Sequence, residues 1–324
     1  MSSVFSISPD FRKRLERGHP SIKDLVPHLP QGIAQVLSAT PASAGRIKAA
    51  PSHRPDKQLA RVKNIIPVFS AKGGVGKSSV AAHLALALQE LGAKVGLLDA
   101  DIYGPSIAKL FAVEGMRPEL IEGTRFHPLD VNGLKLISMA NLTTSTTPII
   151  WRGPKASGAL QHMLYKTEWP QLDYLILDMP PGTGDVVLTL LQSVGVAGSL
   201  IVTTPQDLSL LDVRKGIAMF QRMTVPILGL VENMVSHTCS QCGHIDHPFG
   251  KSVAKELARE MNIAYLSALP LSEGFQTDSD TSRVRLGDGD PIYSAMREIA
   301  VQTAIQLAEL AACSTPAMIA SDHS

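Results

Sequence analysis

The sequence predicts an α/β fold: a doubly wound, mostly parallel sheet with helices on both faces. Two observations carry that expectation. From Asn64 onward, short apolar runs alternate with longer amphipathic ones, the pattern of strands buried on both faces and separated by helices. A glycine-rich loop ending in Gly76-Lys77-Ser78 joins the first apolar run to the first strong helical pattern. Open α/β sheets hold their ligands at such strand-to-helix junctions.

The strand candidates, in order, are "NIIPVFS", "AKVGLLDA", "LDYLILD", "GSLIVTT", "VPILGLV" and "IAYLSAL". Pro67 sits awkwardly in the first, because proline cannot donate a ladder hydrogen bond. The helix after the loop, "KSSVAAHLALALQELG", sets Leu84, Leu88 and Leu91 at i, i+4 and i+7. It ends at Gly92, a residue suited to a left-handed C-cap. Further helices are expected near 185–195, 206–222, 250–261 and 291–311. The stretch "HPLDVNGLKLIS" reads as a small hairpin turned at Asn132-Gly133.

Three segments follow from this pattern. Residues 1–63 are a basic, Pro/Ala-rich N-terminal extension and linker; 64–312 form the loop-and-sheet domain with a C-x-x-C segment; 313–324 are a tail. The first segment holds eleven Lys/Arg against four Asp/Glu, so the rest carries nineteen against twenty-five beneath a net charge of +1. An acidic main domain argues against a nucleic-acid partner. No stretch approaches the roughly 20 apolar residues of a membrane span. Three cysteines are too few, and odd in number, for a disulfide framework. A cytoplasmic location is the default, with the basic, acid-poor start leaving the mitochondrial matrix open in a eukaryote.

In "VFSAKGGVGKSS", Gly73, Gly74 and Gly76 let the backbone curl so that successive N–H groups point at phosphate oxygens. Lys77 then neutralises the β- and γ-phosphates, and the Ser78 hydroxyl ligates Mg²⁺. The expected ATP-binding stretch is Lys72, Gly73, Gly74, Val75, Gly76, Lys77, Ser78 and Ser79. Ala71 stands where the usual motif has glycine, and Lys72 is an additional lysine. Asp99 and Asp101 end the next strand, where a carboxylate orients the attacking water or holds Mg²⁺ through a water. Asp178 ends a very apolar strand ahead of a Gly/Pro loop, 180–185, suited to a switch that senses the γ-phosphate. Phosphoryl transfer needs this positioning and charge neutralisation more than covalent chemistry.

The loop with its extra lysine resembles the deviant Walker A motif of the ParA, MinD and nitrogenase-iron-protein class. There the additional lysine reaches phosphate across a dimer interface, which implies a nucleotide-sandwich homodimer held by Lys72. More narrowly, "KGGVGKSS", "DADIYGPS", "WRGP", "DMPPGTGDVVLTL", "TTPQDLSLLDVRKGIAMF" and "PILGLVENM" resemble the Mrp (ApbC-type) family of iron–sulfur cluster carrier ATPases. The likeness covers about residues 61–312. It implies that Lys72 and Lys77 contact phosphate, Ser78 binds Mg²⁺, Asp101 is the switch I carboxylate and Asp178 the Walker B carboxylate. It further implies that Asn233 contacts adenine and that Cys239 and Cys242 bind the cluster. Lys72, Lys77, Asp101 and Asp178 are thus the expected catalytic set. The 63 residues ahead of the domain do not resemble the N-terminal domain of roughly 80 residues found in many members.

Three readings compete for "SHTCSQCGHIDH". His237, or His244 and His247, could join Cys239 and Cys242 around one zinc, although such pairs usually lie further apart. The cysteines could be a dithiol redox pair, a motif that normally opens a helix. Or two chains could each supply two thiolates to a [4Fe–4S] cluster. The third agrees with the dimer that Lys72 implies, and is the expectation. The function expected is an ATP-hydrolysing carrier, loaded by an upstream scaffold and transferring its cluster to apo-proteins. The alternative is a MinD/ParA-like positioning ATPase with a structural zinc. It lacks the basic amphipathic tail or basic surface that membrane or DNA would require.

Overall fold

The computed structural model describes residue 56 and residues 59–142, 153–272, 284, 286 and 291–314. Most of the basic extension, part of "WRGP" and the tail beyond Ser314 lie outside the described residues. In chain order the elements begin β1 (Val62–Ser70), α1 (Lys77–Glu90), β2 (Val95–Asp99), α2 (Ile107–Leu110), β3 (Leu120–Ile121), β4 (Arg125–Phe126), β5 (Leu129–Val131) and β6 (Leu134–Ser138). They continue α3 (Met139–Leu142), α4 (Gly153–Lys166), β7 (Leu172–Asp178), α5 (Asp185–Ser193), β8 (Ser199–Thr203), α6 (Asp207–Arg222) and β9 (Ile227–Glu232). The last are β10 (His237–Thr238), β11 (Ile245–Asp246), α7 (Ala254–Glu260), β12 (Tyr265–Ala268) and α8 (Pro291–Ser314).

One sheet runs β12-β9-β8-β1-β7-β2-β6-β5, and every neighbouring pair is parallel except β5 with β6. That antiparallel pair is the expected hairpin, with Asn132 and Gly133 both at positive φ in its turn. Alternate residues of the central strands enter different cores. Ile66, Val68, Tyr174 and Ile176 pack with α1 and α8 on one face. Ile65, Phe69, Leu175 and Leu177 pack with α4, α5, α6 and α7 on the other. Continuous apolar runs are what such two-sided burial demands.

Pro67 is accommodated by where the ladders begin. The β1–β8 ladder starts one residue later, at Val68 with Leu200. The Pro67 carbonyl is taken by the Ser199 hydroxyl at 3.1 Å. The strand itself starts at Val62, two residues before the expected Asn64. Helix α4 and the short β3–β4 and β10–β11 hairpins were not anticipated by the sequence pattern. Among the described residues, no helix is long and apolar enough to cross a membrane.

Because the strands are parallel, Ser70, Asp99, Asp178, Thr203 and Glu232 all end on the same edge of the sheet. Functional side chains gather at that edge.

Candidate functional site

The phosphate loop leaves β1 and closes into α1 through Gly76, which sits in the left-handed region at φ +81°. A Cβ at this position would lie 2.3 Å from Asn233 Nδ2, so both conformation and space require glycine. Gly74 is also left-handed, at φ +80°. Gly73 and Gly74 are exposed, Val75 is buried, and Ser78 and Ser79 are partly buried at the start of α1.

Lys77 is 6% exposed, and its Nζ donates to Asp178 Oδ1 at 2.5 Å. It lies 3.8 Å from Asp101 Oδ2 and 3.4 Å from the Ser78 hydroxyl. Sheet register sets Asp99 directly beside Asp178. Both carboxylates are fully buried, and burial is the largest influence on each. Asp99, with the Asp178 charge adding to burial, is pushed up to about 8. Asp178 is also raised, the pull of Lys77 offsetting only part of its burial. One oxygen of Asp178, Oδ2, is buried without a hydrogen-bond partner.

Asp99 has work of its own that the motif reading left unassigned. Its Oδ1 accepts from the Asp101 N–H at 3.2 Å, and its Oδ2 accepts from the Ile107 N–H at 3.1 Å and Ser138 Oγ at 2.9 Å. It thereby closes the 100–107 loop that carries Asp101. On the other side, Gly182 of the loop after β7 donates its N–H to the Ser70 carbonyl at 2.9 Å.

Lys72 does not join this cluster within the chain. Its half-exposed ammonium lies 3.4 Å from Asp212 Oδ2 on α6, and Lys215 pairs with the same carboxylate at 3.2 Å. Asp212 stands inside a quoted motif, "SLLDVRKG", but nothing in its spacing singled it out. Asn233 does reach the loop: its Nδ2 donates to the Val75 carbonyl at 2.9 Å, and its Oδ1 accepts from the Met234 N–H at 3.0 Å.

Cys239 and Cys242 lie on a hairpin rather than in a featureless loop. β10 and β11 pair antiparallel, Cys239 N–H donates to the His244 carbonyl at 2.8 Å, and Gly243 N–H to the Cys239 carbonyl at 2.9 Å. Gly243 turns the chain at φ +71°. The backbone N–H groups of Cys242 and Gln241, then the Cys242 side chain, hold the Cys239 thiol below its ordinary range. A knuckle that aims N–H groups at sulfur favours the thiolate, the form that ligates metal. Cys242 is exposed and Cys239 partly so.

Two of the three histidines have other partners. His237 Nδ1 lies 3.4 Å from Asp246 Oδ1, and His247 Nδ1 donates to the Val235 carbonyl at 2.8 Å. Among the described residues, no group of three or more His, Cys, Asp or Glu side chains converges as a metal-ligand set. The one-chain zinc reading therefore has no third ligand in place. The hairpin also differs from the helix opening that a dithiol redox pair normally occupies.

A parallel sheet, a glycine loop capped by Gly76, and Lys77 set against Asp178 and Asp101 define a P-loop nucleoside-triphosphatase fold. The chain belongs to the ParA family in its NUBPL iron-transfer P-loop NTPase form, whose family model matches residues 61–304. It is 51% identical over 246 residues to an iron–sulfur cluster carrier protein of Pseudomonas fragi, covering 75% of this chain and 86% of that protein. It is 45% identical over 223 residues to the iron–sulfur cluster transfer protein NUBPL of Dictyostelium discoideum, covering 68% and 69%. A solved nucleotide-binding protein of Archaeoglobus fulgidus, in complex with ADP, superposes with a TM-score of 0.61 at 37% identity, covering 70% of this chain and 89% of that one. The cell division ATPase MinD of Pyrococcus furiosus shares the fold, with a TM-score of 0.56 at 18% identity over 74% of this chain and 97% of that one.

Proposed function

We propose that this chain is an ATP-binding and -hydrolysing iron–sulfur cluster carrier that holds its cargo between two copies of itself. The observation that carries this reading is the exposed Cys239–Cys242 knuckle. It presents two accessible thiols, that of Cys239 biased toward thiolate, and no third ligand among the described residues, on the sheet edge that holds the phosphate loop. Two such knuckles supply the Cys₄ set of a [4Fe–4S] cluster, and two-fold symmetry brings identical loops together. Accessible thiolates suit a cargo received from a scaffold and passed to apo-proteins.

Lys72 and Lys77 neutralise phosphate, the former from the partner copy. The N–H groups of Gly73 to Ser79 cradle the phosphate chain at the start of α1. Asp101 orients the attacking water, on a loop that Asp99 holds closed. The residues fit a hydrated Mg²⁺: Ser78 supplies a hydroxyl beside Lys77, and Asp178 Oδ2 is a buried acceptor with no partner. When bound, that ion neutralises phosphate charge. Asn233, tied to Val75, borders the loop on the side proposed for adenine.

Anaerobic reconstitution with iron and sulfide tests the cargo. About four irons and four sulfides per dimer are expected, with loading lost in Cys239→Ala and in Cys242→Ala. Equal loading in these variants, or zinc without sulfide in anaerobically purified protein, refutes the reading. Lys72→Ala should abolish ATP-dependent dimerisation in sedimentation while leaving the monomer folded; a dimer that persists removes Lys72 from the interface.

A further inference from the structure

Both ends of the cysteine hairpin are fastened to one dipeptide, Glu232-Asn233, at the end of β9. Glu232 is fully buried. Its carboxylate accepts from Ser252 Oγ at 2.5 Å and the Tyr265 hydroxyl at 3.0 Å, with the Ala254 N–H 3.4 Å away. Ser252 and Ala254 lie where the chain returns from the hairpin into α7. Asn233 begins the outgoing limb, and it is the residue whose amide grips Val75 of the phosphate loop. Its own N–H donates to the Thr203 carbonyl at 2.7 Å.

The outgoing limb is held rigidly. Met234 adopts φ +61°, a conformation a non-glycine residue keeps only when its surroundings over-determine it. Val235 N–H donates to the Leu269 carbonyl at 3.0 Å, and Leu271 N–H to the Ser236 carbonyl at 2.7 Å. Beyond these ties residues 240–246 are exposed, so the hairpin tip depends on its base for position. A displacement at Val75 acts on Asn233, and Glu232, one peptide earlier, carries it to the returning limb. This is a contiguous route of one buried and one partly buried hydrogen bond joined by a peptide bond, a physical form that coupling between sites can take.

We infer that Glu232 is a positioning residue that couples the phosphate loop to the cysteine hairpin within one chain, so that nucleotide binding alters the reactivity of Cys239 and Cys242. The inference deepens the proposed function and rests on it for the nucleotide, but needs no bound cluster.

The test uses the full chain with Cys313→Ser, which leaves Cys239 and Cys242 as the only thiols. Their alkylation by a maleimide is timed with and without Mg-ATP, while a fluorescent ATP analogue reports binding on the same samples. A change of about fivefold in the parent is expected, at the low end of measured couplings. Ser252→Ala removes the shorter of the two bonds between the returning limb and Glu232, leaving only the Ala254 N–H at 3.4 Å, and touches no nucleotide contact. It should keep ATP affinity within about twofold and reduce the thiol response to less than about 1.5-fold. Tyr265→Phe removes a different donor from the same carboxylate and should keep the response; its loss would show a merely structural role and overturn the inference. So would an undiminished response in Ser252→Ala, or a parent that binds ATP without any response. A chain that fails to bind ATP overturns the inference and the nucleotide reading together. An intact response in a chain that loads no iron or sulfide supports the coupling and removes only the cargo.

Discussion

Replacing Gly76 by alanine isolates the geometry on which the nucleotide site rests. At φ +81° the added Cβ meets Asn233 Nδ2 at 2.3 Å and Cγ at 3.6 Å. A non-glycine residue in the left-handed region costs roughly 1–2 kcal/mol. The methyl also expels the Asn233 amide from its bond to Val75, and a buried carbonyl left without a partner costs about 1–3 kcal/mol. The sum of roughly 2–5 kcal/mol opposes the one loop conformation that turns N–H groups toward phosphate. If the loop relaxes to escape it, ATP affinity falls at least about 30-fold, because each 1.4 kcal/mol is tenfold. Titration with a fluorescent ATP analogue measures this, and urea unfolding reports any loss borne by the whole fold. Asn233→Ala separates the two costs, since it removes the clash and leaves the backbone strain. In that background Gly76→Ala should cost only about 1–2 kcal/mol, and the difference is the coupling energy of the cycle. Additive effects, or a Gly76→Ala chain that binds ATP as the parent does, would refute the reasoning.

Asp99, pushed up to about 8, keeps its proton in the folded chain over a range where the unfolded chain has lost it. Its favourable contribution is therefore complete at low pH and lost as pH rises toward 8. Urea unfolding should show Asp99→Asn gaining on the parent between about pH 5 and 8, at no more than about 1.4 kcal/mol per pH unit; a constant difference contradicts a protonated Asp99. In a Cys242→Ser, Cys313→Ser chain, alkylation of Cys239 should have a pH midpoint below that of free cysteine, because the N–H groups of residues 241 and 242 remain. A midpoint at or above the free value rules out the knuckle. Without Mg²⁺, phosphate that draws Lys77 away leaves Asp178 buried and unpaired, so ATP binding should take up protons. Calorimetry in buffers of different ionisation enthalpy detects the uptake, which Mg²⁺ should suppress; buffer-independent heats in its absence would count against the Lys77 exchange.

The parallel sheet was legible because two-sided burial writes itself as unbroken apolar runs, and Gly76-Lys77-Ser78 was legible because sequence spacing alone sets that loop. Helix α4 was not. Ala156, Leu160, Met163 and Leu164 do line one face and are buried, but Gly153, Pro154 and Gly158 lower its intrinsic helix propensity. The β10–β11 pairing was hidden for another reason: two-residue strands have no period, and what closes them is the Cys239–His244 and Gly243–Cys239 backbone bonding. Asp212 and Glu232 escaped notice because their partners are distant in sequence. Lys72 lies 140 positions from Asp212 and Ser252 lies 20 from Glu232, and no local motif encodes such pairings. Asp99 was visible as a strand-ending carboxylate. Its bonds to the Asp101 and Ile107 N–H groups, and to Ser138, which only the β2–β6 register brings alongside, are not written in any local motif.

The charges at the sheet edge explain how a lysine ringed by carboxylates can still accept a polyphosphate. Asp99, Asp101 and Asp178 formally outnumber Lys77, but burial changes the count. Asp99, pushed up to about 8 by burial and the Asp178 charge, is biased toward its neutral form, which weakens its repulsion of what enters. Asp178, beside it in register, is held above the ordinary carboxylate range by burial, and only an accompanying cation favours its ionised form. Lys77 is that cation, 2.5 Å away. Phosphate that recruits Lys77 obliges Asp178 to find another partner, and its unpartnered Oδ2 together with the Ser78 hydroxyl offers one position for a hydrated divalent ion. Anion and cation then enter together, Lys77 turning to one and Asp178 to the other, so that part of the polyphosphate charge arrives already offset. A site with little solvent to absorb an uncompensated charge favours that offset, and on the proposed function the magnesium complex of the nucleotide is expected to bind more tightly than the free nucleotide.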